Sequence, residues 1–175
     1  MTANFLLSTV FTWAGGDVAM VGKPLFDTLF DNTQFLFLRT YVNNLLANET
    51  RTTTTLSDVP ELSFNVDASQ LWLFLFTVQL TSPVAGDIKY TITAPTGATG
   101  RFGLLATGTL VTVEQTTFGS AVATNTFGFD EMHLVGGFVI NGTNPGAMQL
   151  QAAQQAASGT ATIYAGSGVL AARLA

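Results

Sequence analysis

Between Gln70 and Thr81 the chain carries large apolar side chains at both alternating positions. Trp72, Phe74, Phe76, Val78 and Leu80 fall on one, and Leu71, Leu73 and Leu75 on the other. Successive side chains of a strand point to opposite faces, so a strand here leaves no face for water. One face must enter a core, and the other must be covered by another subunit or by a helix. Leu71, Leu73 and Leu75 are therefore expected at an assembly interface. The run cannot cross a bilayer as a helix, which needs about 20 consecutive apolar residues, because Thr77 and Gln79 interrupt it.

From Glu49 onward, turn residues recur at short intervals: Asp58-Val59-Pro60, Ser82-Pro83, Pro95-Thr96-Gly97, Gly119-Ser120, Asn141-Gly142 and Ser158-Gly159. Ile88, Tyr90, Ile92 and Ala94 alternate with Asp87, Lys89, Thr91 and Thr93, the pattern of a strand with one wet side. Further strands are expected at 50–56, 61–66, 101–105, 109–117, 132–141, 147–154, 160–164 and 167–174. Many short strands with regular punctuation predict a mainly β chain, an antiparallel jelly-roll-like β-sandwich over residues 49–175.

Residues 1–48 read differently. Met1 to Val10 lacks the positive flank and long apolar stretch of a secretory signal, and residues 1–23 look extended or irregular. Pro24 suits the first turn of a helix, after which Leu25, Phe26, Leu29 and Phe30 recur at helical spacing. Phe35, Leu38, Val42 and Leu45 then follow in the a/d rhythm of a coiled coil. Two heptads fit a trimeric bundle or a helix packed on the body. This segment is expected to anchor or assemble the protein through Trp13, Phe26, Phe30, Phe35, Leu38, Val42 and Leu45.

Charged residues make up 10% of the chain and hydrophobic ones 47%, against roughly 25% charged in typical soluble domains. So few charges cannot coat a monomer well, and obligate interfaces, which resemble a core cut in half, account for the excess. The net charge is −5 and the basic residues Lys23, Arg39, Arg51, Lys89, Arg101 and Arg173 are scattered. That leaves no basic footprint for nucleic acid, and neither nucleic acid nor membrane is expected as a partner. Cysteine is absent, so no disulfide frame or thiolate metal site is available.

No reactive constellation stands out. His133 is the only histidine. Glu131 and His133 share one face of a strand while Asp130 points away, so the three are read as polar residues at a strand entrance, on its solvent face, and not as metal ligands. Gly166-Ser167-Gly168 lacks the spacing of a nucleophile elbow, and the Gly97-Ala98-Thr99-Gly100 turn lacks that of a phosphate loop. The acids Asp58, Glu61, Asp67 and Asp87 cluster in turns, where Asp caps backbone donors. No catalytic, cofactor-binding or metal-binding residue is expected, and the chain is read as a non-enzyme.

Two blocks carry a family resemblance. The first is Thr12-Trp13-Ala14-Gly15-Gly16-Asp17-Val18, followed by Phe26 and Asp31-Asn32-Thr33-Gln34-Phe35-Leu36, with Ala19-Met20-Val21-Gly22-Lys23 departing from the usual pattern between them. The second runs from Glu49-Thr50-Arg51-Thr52-Thr53-Thr54-Thr55-Leu56 and Pro60-Glu61-Leu62 through Ala85-Gly86-Asp87-Ile88-Lys89-Tyr90 and Thr93 to Phe102, closing on Met148 to Gln154, Ala161-Thr162 and Ala165-Gly166-Ser167. Together they resemble minor virion, fibre and decoration proteins of long-tailed bacteriophages. The resemblance implies a sandwich-shaped appendage on a virion, a homotrimer docked on capsid or tail proteins through its N-terminus, without catalytic or metal residues. A competing expectation is a tail module whose loops recognise a host surface saccharide, and a third is a hydrolase of surface polymer.

Overall fold

The computed structural model describes residues 40–106 and 109–174, and among them every regular element is a strand. Six strands lead out: β1 (Thr40–Asn44), β2 (Glu49–Arg51), β3 (Ser57–Val66), β4 (Leu71–Thr81), β5 (Ile88–Thr93) and β6 (Thr99–Ala106). Six return: β7 (Thr109–Gln115), β8 (Val122–Thr124), β9 (Glu131–Ile140), β10 (Gly146–Ala153), β11 (Ala161–Ile163) and β12 (Gly168–Arg173). Each outgoing strand pairs antiparallel with its counterpart on the return: β1 with β12, β2 with β11, β3 with β10, β4 with β9, β5 with β8 and β6 with β7. The described residues from Thr40 onward form one long hairpin rolled on itself, which is the jelly-roll topology expected from the sequence.

Rolling divides the hairpin into two sheets. The larger runs β1-β12-β4-β9-β6-β7, with β11 continuing along β4 and pairing with β2; the smaller runs β3-β10-β5-β8. The core lies between them. From the large sheet come Trp72, Phe74, Phe76, Val78 and Leu80 of β4 with Val135 and Val139 of β9; from the small sheet come Phe64, Ile88, Tyr90, Ile92, Met148 and Leu150, all buried. Phe64 reaches from β3 to the rings of Trp72, Phe74 and Phe76, with centroid separations of 5.6, 5.9 and 6.3 Å. The rings are tilted by 41–45° to one another, and aromatic contacts at such spacings add to the area term.

Two glycines let β6 and β9 approach closely. A Cβ on Gly137 would stand 2.0 Å from the Arg101 carbonyl oxygen, and one on Gly100 would stand 2.2 Å from that of Phe138. Only a residue without a side chain fits at either place.

The sequence reading is corrected at the N-terminal boundary. The coiled-coil rhythm of the sequence runs through Val42 and Leu45, but Thr40–Asn44 is an edge strand, registered on β12 from Thr40↔Ala172 to Asn44↔Gly168. Period-two burial, with Tyr41 turned inward and Val42 outward, wins over helical spacing. Leu45 is buried in the core, its N–H donating to Ser167 O at 2.7 Å. Residues 40–48, assigned from sequence to the anchoring segment, therefore lie within the compact unit Thr40–Ala175. The expected strand at 50–56 stops at Arg51, and β8 had no counterpart in the reading.

Candidate assembly surface

Leu71, Leu73 and Leu75 lie on the side of β4 opposite the core, and register shows what stands beside them. One row crosses the large sheet as Val42, Leu170, Leu75, Gly136, Gly103 and Glu114. The next runs Ala172, Leu73, Phe138, Arg101, and flanking rows place Leu71 beside Ile140 and Leu134 beside Leu105. Val42 is 71% exposed, Leu73 53%, Ile140 51% and Leu170 48%. Lone exposed apolar residues are ordinary, whereas a continuous patch rimmed by polar groups marks an interaction surface. Each such side chain, once fully covered, contributes roughly 1.5–3 kcal/mol.

The face has relief. Gly136 and Gly103 are register partners without side chains, and Leu75, Leu104, Leu105, Leu134 and Glu114 surround them. The result is an apolar hollow of about 300 Å³. Its rim carries the ion pair of Arg101 and Glu114, Nη1 to Oε1 at 2.9 Å, with both side chains 57% exposed. A pair so exposed contributes little to stability.

Of the residues expected at an interface, Leu71, Leu73, Leu75 and Val42 fall on this one face, and Leu45 does not. Trp13, Phe26, Phe30, Phe35 and Leu38 lie outside the described residues. Sequence reading missed Leu134, Phe138, Ile140 and Leu170. The pattern Met132, Leu134, Gly136, Phe138, Ile140 alternating with His133, Val135, Gly137, Val139 was the available signal, a second strand apolar on both faces.

A second exposed apolar feature sits on the loop before β9, where the rings of Phe127 and Phe129 stack at 5.6 Å and 16° and are 41% and 60% exposed. The loop is tethered from below, because Phe127 N–H donates to Glu131 Oε1 at 2.6 Å.

Glu131 and His133, expected from the sequence on a solvent face, both turn inward. Glu131 Oε2 lies 3.3 Å from His133 Nε2, and His133 Nδ1 lies 3.0 Å from the Tyr90 hydroxyl, with all three residues buried. All partners are satisfied when the tyrosine donates to Nδ1 and Nε2–H donates to the carboxylate. Asp130 points away and accepts from Tyr164 Oη at 3.2 Å, so the three polar residues do not converge. Burial pushes the Tyr90 hydroxyl well above its usual range, with the Glu131 charge adding to it. Burial also lowers His133, against the opposing pull of its hydrogen bond to Glu131 and of that carboxylate's charge.

The histidine makes stability depend on pH. Its folded pKa lies below the unfolded value of 6.5, so the unfolded chain takes up the proton first as pH falls. The contribution is fully present above about 6.5 and is lost as pH drops through the folded value. Thermal melting at pH 7.5 and pH 5 should show a lower midpoint in acid, and a smaller drop in a His133→Asn variant. Equal drops in the two proteins would remove His133 from the account.

No protein-family model matches the chain, and no curated protein does. Solved structures similar to it include VP2 in a subviral particle of infectious bursal disease virus, at 12% identity over 77% of this chain with a TM-score of 0.22. Another is the Gx strain of infectious bursal disease virus, at 9% identity over 77% of this chain with a TM-score of 0.22. The chain spans 40% and 36% of the lengths of those two chains.

Proposed function

We propose that this chain is a non-enzymatic structural subunit of a bacteriophage virion, a decoration or short fibre protein that self-associates, with a trimer preferred. On this reading it docks on capsid or tail proteins through the segment before Thr40. The observation that carries the proposal is the apolar outward face of the large sheet in a chain with only 10% charged residues. A projecting jelly roll covered on that face by its own copies explains the composition. Trimeric state and phage origin rest on the resemblance of the two sequence blocks.

Phage particles assembled without this protein should take it up on mixing, and the two should sediment together. The expected anchor predicts that changing Trp13 and Phe26 to alanine abolishes co-sedimentation while leaving the circular dichroism of the β-body unchanged. Undiminished uptake of that variant would remove the anchor role from those residues.

A second reading is favoured by the Phe127 and Phe129 pair. Exposed stacked rings on a loop suit the apolar face of a sugar, as a tail module recognising host saccharide would require. Binding of the purified protein to host cells, lost in a Phe127→Ala/Phe129→Ala variant, would select this reading over decoration.

A further inference from the structure

We propose that the outward face of the large sheet packs against the same face of neighbouring copies, around a symmetry axis passing close to Leu75 and Gly136. This rests on the self-association reading above and deepens it by naming the surface and its occupant.

Three observations favour a second copy over a foreign partner. The face is complementary to itself: each copy carries a hollow floored by Gly136 and Gly103 and, two residues along β9 from Gly136, the exposed ring of Phe138. Copies related by rotation can seat that protruding ring toward a neighbour's hollow. Its charges are also answered internally, since Arg101 pairs with Glu114 of the same chain. The face thus presents no net charge for an oppositely charged partner to match.

The third observation is size. Six strands about 4.8 Å apart, over about six residues of rise, give a flat footprint on the order of 600 Å². Side-chain relief raises the accessible area toward the ~800 Å² that each partner buries in a standard interface. The Arg101–Glu114 pair then lies at the rim, where polar residues belong.

In a closed cyclic assembly only residues near the axis meet their own copies. The native chain has no cysteine, so a single introduced thiol reports this directly. In the full-length protein under mild oxidation, Leu75→Cys should form disulfide-linked chain pairs, since linkage needs Cα atoms within about 7 Å. Ala147→Cys, on the exposed side of the small sheet, should not. A two-fold assembly links completely, and a three-fold one stops at about two thirds of the chains. A Leu73→Asp/Phe138→Asp variant, changed only at exposed positions, should fall to monomer mass with its circular dichroism unchanged.

An oligomeric wild type in which Leu75→Cys stays unlinked and the double variant keeps its mass overturns the assignment of this face while leaving self-association intact. Linkage of both cysteine variants alike also overturns it, as random collision. A monomeric wild type in which the Leu75→Cys thiol resists modification means that the segment 1–39 covers the face, and that outcome overturns the self-association reading as well.

Discussion

Phe64→Ala should lower the stability of the fold by about 3–5 kcal/mol, the range for truncating a buried phenylalanine. Phe64 is 2% exposed and stands on β3 of the small sheet. Its ring meets Trp72, Phe74 and Phe76 of β4, and Tyr41 of β1 at 6.3 Å. It therefore joins the small sheet to two strands of the large one. Alanine leaves a cavity walled by rigid rings on strands pinned by register, so little collapse can fill it, and the loss belongs at the upper end. Denaturant unfolding of the variant beside wild type measures it; a loss under about 1 kcal/mol would mean that the sheets do not depend on this contact.

Glu131→Ala should cost about 2–4 kcal/mol. The carboxylate is 3% exposed and accepts from Phe127 N–H on one oxygen while facing His133 Nε2 with the other. Removing it strands two donors, and an unpaired buried polar group costs about 1–3 kcal/mol. The Phe127–Phe129 loop also loses its tether. Glu131→Gln keeps an acceptor oxygen and should lose less. If alanine and glutamine variants unfold at the same denaturant concentration as wild type, the buried cluster does not hold the loop.

Much of the fold was legible because alternation and turn residues are local signals. The antiparallel jelly roll, the strand at Leu71–Thr81 and its two apolar faces all follow from period-two patterning and punctuation. The nested pairing of outgoing and returning strands was not legible, since register is decided by contacts distant in sequence. Thr40–Asn44 was misread because Val42 and Leu45 extend a helical spacing in the sequence, while the deciding partner, β12, lies about 130 residues away.

The candidate surface was legible in part. Leu71, Leu73 and Leu75 announce themselves by breaking alternation. Leu170 and Phe138 become neighbours of Leu75 and Leu73 only through pairing, and the hollow exists because two glycines on different strands meet. Glu131 and His133 were placed on the wrong side because polarity was read as exposure. A buried polar group is permitted where its partners are all supplied, and here Tyr90 and Phe127 supply them.

The central claim is that this chain is a structural subunit that covers its apolar surface by assembling. The most direct test is the mass of the purified full-length protein in solution by light scattering. The account predicts a stable multiple of the 18.4 kDa chain, three copies on the preferred reading, unchanged on dilution. A soluble 18.4 kDa monomer that persists at high concentration would contradict it.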